Sequence, residues 1–194
     1  TDAHIELERA YAQVRDNGQI NMALCCDFLS RRLSLHTDVE QRYTFAERYA
    51  ELLQYHDASW INIWCATGAY YHALRGEAEE IPKIFSQHRL STVNMLAPGK
   101  PMMEMIENQV YLAQGAYAKV IGRSEGLLAL CEGMHYALVA LHIRLQTASA
   151  YEMLGNRAEA RRLLETALSD AEPDHFLLPF AENAPYLMAH YESL

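Results

Sequence analysis

The segment HIRLQTASAYEMLGNRAEARRLLETAL, residues 142–168, decides the fold. Small and apolar residues recur at helical spacing on both sides of Gly155, a residue type suited to the left-handed end of a helix. Small side chains at Ala148 and Ala160 allow two helices to approach closely, and the Tyr151 ring is large enough to fill their crossing. The segment therefore predicts two antiparallel helices joined by a short turn.

Similar breaks recur along the chain at a nearly constant interval. They fall at His36-Thr37, Gly76, Gly115 and Gly155, which lie 40, 39 and 40 residues apart. This period is typical of a repeated helical hairpin, and residues 142–168 fit the tetratricopeptide (TPR) pattern. Because a single hairpin leaves an apolar face exposed, neighbouring hairpins must stack. We predict an all-α fold: an α-solenoid of antiparallel helical hairpins, a TPR-like superhelix of about ten helices.

We expect a single TPR-like domain over residues 1–194. Its hairpins are predicted near residues 19–55, 59–87, 101–131 and 134–170, with flanking helices near 3–15 and 174–192. Thr37 and Glu40 have the spacing of a capping box, which predicts that the third helix begins there. A fifth helix is predicted over residues 77–87, followed by an irregular stretch over 88–100.

Charge and composition exclude several classes of protein. Sixteen Lys and Arg against 25 Asp and Glu give a net charge of −9, which argues against direct contact with nucleic acid. The longest apolar runs, such as residues 127–131, are about five residues, whereas roughly 20 are needed to span a bilayer. No signal peptide is evident, and the four cysteines lack CxxC spacing. We expect reduced core thiols in a cytoplasmic protein that does not enter membranes.

No set of residues has the pattern of a catalytic or metal site. Glu132 and His135 have the E-x-x-H spacing of di-iron bundles, but such a site needs two of these motifs and two further Glu. Ser124 lies in a G-x-S-x-G pattern, yet the strand–turn–helix context of a nucleophile elbow is missing. We therefore predict no enzymatic activity, no metal and no cofactor.

Several phrases, spread over roughly residues 60–194, resemble the helical-repeat region of large LuxR-type transcription regulators akin to the maltose-regulon activator. The most distinctive phrase, Leu-Pro-Phe-Ala-Glu, follows the Pro173-Asp turn. The general TPR pattern does not require this phrase. The phrases, in chain order, are Tyr70-Tyr-His-Ala-Leu-Arg-Gly76, Glu79-Glu-Ile-Pro82, Leu112-Ala-Gln-Gly-Ala-Tyr117, Ala148-Ser-Ala-Tyr-Glu-Met-Leu-Gly155 and Pro173-Asp-His-Phe-Leu-Leu-Pro-Phe-Ala-Glu-Asn183.

The resemblance implies a sensing and interaction segment. In that family an ATP-binding switch module precedes the repeats and a helix-turn-helix domain, which binds DNA, follows them. This chain has neither a phosphate-binding loop nor an evident helix-turn-helix, so we expect it to be the array alone, a piece of a longer protein. The alternative is a free-standing TPR adaptor that binds peptides or scaffolds a protein assembly.

In a TPR-like array the first helix of each hairpin lines a concave groove. With the four turns in register, we predict that polar residues of these helices bind a small-molecule effector or a protein or peptide partner. Self-association of the array is a further expectation. The predicted groove residues are Asp27, Arg31, Tyr70, Gln109, His142, Ser149 and Glu152.

Overall fold

Helices account for the regular structure of this chain, as the sequence predicts. The computed structural model describes residues 2–93 and 97–191, and within them it contains ten α-helices and no strand. The α-helices are α1 (Asp2–Asn17), α2 (Ile20–His36), α3 (Phe45–Leu53), α4 (Ala58–Arg75), α5 (Lys83–Ser86), α6 (Lys100–Ala113), α7 (Tyr117–Met134), α8 (Ala137–Met153), α9 (Arg157–Ala171) and α10 (Leu178–Tyr191). Short 3₁₀ turns lie at Ala78–Glu80, Leu90–Thr92, Ala97–Gly99 and Glu172–Asp174.

Three of the predicted breaks are glycine turns that end a helix. Gly76, Gly115 and Gly155 have φ angles of 73°, 71° and 77°, which a residue with a Cβ adopts only with strain. At each turn the residue after the glycine donates its backbone N–H to a carbonyl five residues earlier, as in Asn156 N to Tyr151 O at 2.9 Å. These bonds satisfy carbonyls that the helix end leaves unpaired. The prediction of these three turns is confirmed.

The even-numbered helices follow one another as neighbours. α2 lies beside α4, α4 beside α6, α6 beside α8, and α8 beside α10. The odd-numbered helices pack outside this row, with α7 and α9 on either side of α8. We call α2, α4, α6, α8 and α10 the inner helices. This neighbour order is the one that stacked hairpins require, and it brings residues distant in sequence to the same interior.

Apolar side chains on the inner helices form the largest core. One cluster, which includes Tyr70 of α4, Val110 of α6 and Ile143 of α8, has nearly no exposed surface. A second cluster joins α8, α9 and α10 around Leu164 and Leu187, both fully buried. Burial of these side chains, at roughly 25 cal/mol per Å² of apolar surface, provides the main favourable free energy of folding.

The third helix begins later than predicted, so the capping box assigned to Thr37 and Glu40 is wrong. Thr37 Oγ1 instead donates to Leu33 O at 2.9 Å, and residues 37–44 contain no helix. The hydroxyl that was expected to start a helix is therefore engaged at the end of α2. The capping box lies at Thr44 and Glu47, where each side chain bonds the backbone N–H of the other residue.

The fifth and tenth helices are shorter than predicted, because of proline and of left-handed backbone. Pro82 has no N–H to continue a helix, so the predicted helix over residues 77–87 divides into a 3₁₀ turn and α5. His175 has a φ of 53°, and α10 begins only at Leu178. The predicted end of the last helix at residue 192 lies outside the described residues, as does part of the stretch 88–100, namely residues 94–96.

Helix length and cysteine burial are two further properties that the sequence predicts. Among the helices in the described part of the chain, none has the length and apolarity to cross a lipid bilayer. All four thiols are free, but Cys25 is exposed, so the expectation that every cysteine lies in the core is wrong for this residue. Cys26 and Cys131 are buried as expected.

Two helical glycines provide a test of the packing between α3 and α4. A Cβ added at Gly68 of α4 would lie 2.8 Å from the Phe45 ring, which stacks on Trp64 at 5.5 Å between centroids. We expect Gly68→Ala to destabilise the protein by about 1–3 kcal/mol, because the ring must move out of its stack. The measurement is the free energy of unfolding in urea.

Gly122 of α7 is the matched control, since a Cβ there would meet no atom within 4 Å. Gly122→Ala should stabilise the protein by about 0.5–1 kcal/mol, the difference in helix propensity between the two residues. Equal effects of the two substitutions would show that α3 does not pack on α4 as described.

Candidate functional site

The inner helices converge on one buried carboxylate, that of Glu182 in α10. Its side chain has no exposed surface. Arg32 of α2 donates Nε to Glu182 Oε1 at 2.8 Å and Nη2 to Oε2 at 2.7 Å. Two parallel bonds of this kind are the strongest geometry that an arginine forms with a carboxylate. The contact joins residues 150 positions apart, and so links the first inner helix to the last.

Three further polar groups surround the same carboxylate. Tyr70 of α4 donates its hydroxyl to Glu182 Oε2 at 2.6 Å. The rings of His36 and His142 lie 3.8 Å and 3.9 Å from the carboxylate oxygens, His36 from α2 and His142 from α8. We call Arg32, Tyr70, His36 and His142 the carboxylate cradle. Its members come from three helices, none of which is α10.

The charge states in the cradle follow from burial and pairing. Burial alone would raise the pKa of Glu182, but the hydrogen bond and positive charge of Arg32 lower it below its ordinary value. Burial, reinforced by the Glu182 carboxylate, raises the pKa of Tyr70 well above its ordinary value. Burial lowers the pKa of His142 to about 4. At neutral pH the buried part of the site therefore holds one cation and one anion, with a neutral tyrosine and a neutral His142.

Three of the buried side chains, Glu182, Tyr70 and His142, keep one protonation state at neutral pH. Neither His142 nor Glu182 has a pKa near neutrality, which a general acid or base would need. Tyr70 also keeps its proton at neutral pH, because its pKa is raised. The cradle can hold an anion in a fixed orientation.

A second polar layer continues along the same face of α8. Gln146 donates Nε2 to Gln109 Oε1 of α6 at 3.0 Å, and Ser149 Oγ lies 3.5 Å from Asn183 Oδ1 of α10. All four side chains are fully buried. Among the described residues, Gln109 Nε2 and Gln146 Oε1 have no hydrogen-bond partner. The interior between α6, α8 and α10 is thus polar where a core would normally be apolar.

Four of the seven predicted groove residues lie in this polar interior. Tyr70 and His142 contact the region of Glu182, Gln109 pairs with Gln146, and Ser149 adjoins Asn183. All four are at most 2% exposed, so in this structure they line an enclosed interior. Their role in ligand binding stays a prediction.

The other three predicted residues contact side chains outside the cradle. Asp27 accepts hydrogen bonds from Tyr11 Oη and Arg48 Nε, each at 2.7 Å, on the side of α2 that faces α1 and α3. The guanidinium of Arg31 lies 4.4 Å from the centroid of the Trp64 ring. Glu152 is partly buried, with an oxygen 3.5 Å from Arg157 Nε. The single groove that was predicted to hold all seven residues is therefore divided in the structure.

Sequence reasoning missed Arg32, His36 and Glu182. The repeat register selects residues 27 and 31 of α2, which are buried against other side chains, one position before the face that meets Glu182. Phe28, Arg32 and His36 are spaced by four, which places them on one face of a helix, and the Phe28 ring lies 5.8 Å from that of Tyr70. Glu182 belongs to the Leu-Pro-Phe-Ala-Glu phrase that stands out in the sequence, but nothing in that phrase identifies its distant partner.

The outer side of the array carries a separate cleft of about 900 Å³ between α7, α8 and α9. Both arginines that line it are paired, Arg144 with Asp170 at 2.5 Å and Arg162 with Glu159 at 2.8 Å. Within residues 2–93 and 97–191, no group of three or more His, Cys, Asp or Glu side chains is arranged to hold a metal ion. The carboxylate cradle is therefore the strongest candidate site.

Comparison with protein-family models, curated proteins and solved structures gives no match to this chain.

The energetic role of the buried ion pair can be tested with Glu182→Gln, which keeps the shape of the side chain and removes its charge. We expect a loss of about 3–5 kcal/mol in the free energy of unfolding, because Arg32 then remains buried without a counter-charge. Glu165→Gln is the matched control, since its partner Arg161 is exposed and the pair is an ordinary i,i+4 contact. The control should cost less than about 0.5 kcal/mol. Similar losses for both variants would contradict the buried pairing.

His142 predicts a dependence of stability on pH. Its pKa in the folded protein is about 4, against an ordinary value of 6.5, so the unfolded chain binds this proton first as the pH falls. The stability that neutral His142 contributes is fully present above pH 6.5 and is lost toward pH 4. We therefore expect the stability difference between wild type and His142→Phe to be constant at neutral and alkaline pH and to shift against wild type between pH 6.5 and 4. Urea unfolding across this range measures it, and a flat difference would contradict the assignment.

Proposed function

We propose that this chain is the effector-sensing and protein-interaction segment of a LuxR-type transcription regulator. The observation that carries the proposal is the buried contact between Arg32 and Glu182, which joins the first and last inner helices. An effector changes the state of a protein only when it binds two arrangements with different affinity. Because the contact between Arg32 and Glu182 links the two ends of the array, two arrangements can differ in whether this contact is formed or broken.

An ion pair suits this role better than it suits simple stabilisation. Removing two charges from water costs about as much as their attraction returns, so packed apolar side chains would hold α2 and α10 together at least as well. The pair differs from apolar packing because a competing charge, or the loss of one partner, destabilises it by several kcal/mol. The contact therefore favours an array with two arrangements over a rigid scaffold.

The resemblance to LuxR-type regulators supplies the context for the proposal. An upstream nucleotide-binding switch module would read the state of the array, and a downstream helix-turn-helix domain would bind DNA. The net charge of −9 agrees with an array that does not itself contact DNA. A small effector or a peptide would bind at the polar interior, with self-association as a second mode of interaction, in the cytoplasm.

The coding sequence around this segment tests the proposal directly. We expect a phosphate-binding loop of the G-x-x-x-x-G-K-[ST] form upstream and a helix-turn-helix downstream. An array with neither domain would contradict the regulator and favour the free-standing adaptor instead.

Within the full-length protein, the proposal predicts that Glu182→Gln alters regulation. Loss of the buried pair should change the effector-free level of transcription from a reporter by at least about fivefold, a small coupling for an allosteric contact. Levels are compared at equal amounts of soluble protein. Glu165→Gln should leave transcription unchanged, and an unchanged level for Glu182→Gln would contradict the proposal.

A further inference from the structure

The carboxylate cradle is complete without the helix that fills it. Arg32 and His36 come from α2, Tyr70 from α4 and His142 from α8, and α10 adds only the carboxylate. Arg32, Tyr70 and His142 are held by packing within their own helices and neighbours, with Tyr70 and His142 at most 2% exposed. The cradle therefore has the form of a carboxylate site in which a side chain of the same protein is bound.

The charge of the cradle selects the kind of anion that fits it. Arg32 is its one permanent cation, and buried His142 is neutral at pH 7 because its pKa is about 4. The single permanent charge of Arg32 matches the charge of a monoanion. The two parallel N–H groups of Arg32 match the two oxygens of a carboxylate. A monocarboxylate thus fits both the charge and the geometry.

The hydrogen-bond ladder of α10 is interrupted just after Glu182. Pro185 lies inside α10 and has no N–H to donate to the preceding turn. The connection before α10 is exposed, with Leu177 at 77% exposure. After the proline, Leu187 is fully buried among residues of α8 and α9. Because Pro185 removes a bond between the two parts of α10, displacement of residues 178–184 does not require Leu187 to leave its contacts.

We propose that the carboxylate cradle is a binding site for a small organic monocarboxylate, and that Glu182 is the resident carboxylate that such an effector replaces. This inference names the ligand class of the proposed sensing function and rests on it. Binding would release residues 178–184 from α2 and α4, which changes the contact between the two ends of the array.

The first experiment uses Glu182→Ala, which removes a group the size of acetate from the cradle. Thermal unfolding is followed in sodium acetate and in sodium chloride at equal ionic strength. We expect acetate to raise the unfolding midpoint in a saturable way, with the folding equilibrium shifting about 100-fold at 100 times the dissociation constant. Sodium phosphate and sodium sulfate stabilise proteins in general because they are excluded from the protein surface, so they should raise the midpoints of Glu182→Ala and of the wild-type chain alike and without saturation.

Two variants serve as controls for this rescue. The double variant Arg32→Met, Glu182→Ala lacks the cation and should lose the acetate response. Glu165→Ala removes an exposed carboxylate and should respond to acetate no more than the wild-type chain does. An acetate response that is absent from Glu182→Ala, or that persists without Arg32, would overturn the proposal.

The second experiment uses the wild-type chain and does not depend on the folding of a variant. Hydrogen exchange of the backbone is measured in excess acetate or propionate and in chloride. We expect faster exchange in residues 178–184 and unchanged exchange in α8. Unchanged exchange in 178–184 would overturn the replacement of Glu182 even if acetate rescues Glu182→Ala. Neither experiment involves DNA, so failure of either one overturns the ligand class alone, whereas the coding-sequence test decides the regulator.

Discussion

The bidentate contact between Arg32 and Glu182 joins the first inner helix to the last. It fixes α10 against α2, although the two helices are separated along the row of inner helices by α4, α6 and α8. A buried arginine that loses its carboxylate partner is strongly destabilising. The two side chains therefore either remain paired or, if the helices separate, both become hydrated. Tyr70 and His142 contact or adjoin the same carboxylate, and the four inner helices involved therefore depend on one another.

The repeated hairpin is what makes so distant a contact available. The turns at Gly76, Gly115 and Gly155, which lie 39 and 40 residues apart, follow α4, α6 and α8, and these three helices are successive neighbours in the interior. Apolar packing within this row supplies most of the folding free energy, and the polar residues between α6, α8 and α10 add little to it. These polar side chains occupy positions that apolar ones could fill, which is the pattern expected of a functional interior.

The fold class could be read from the sequence because its signals are local. Gly76, Gly115 and Gly155 end helices through a backbone conformation that glycine favours, and the residues near them in sequence suffice to identify it. A local signal misleads where one side chain can either cap a following helix or bond the end of the preceding one. The Thr37 hydroxyl bonds a carbonyl at the end of α2 and does not cap α3. Pro82 divides the fifth helix because proline has no N–H to continue the hydrogen-bond ladder. The prediction of one helix over residues 77–87 did not include this effect.

The candidate site was only half predictable, because it depends on contacts between distant residues. Tyr70 and His142 were identified from the repeat register, whereas Arg32 was missed because a helix rotated by one position presents a different side chain. The pairing of Arg32 with Glu182 joins residues 150 positions apart, which no local pattern encodes. A double-mutant cycle on the free energy of unfolding, with Arg32→Met, Glu182→Met and both together, measures this contact most directly. We predict a coupling energy of at least about 2 kcal/mol, with the double variant more stable than either single variant. Additive effects within about 0.5 kcal/mol would show that the two side chains do not interact and would contradict the account.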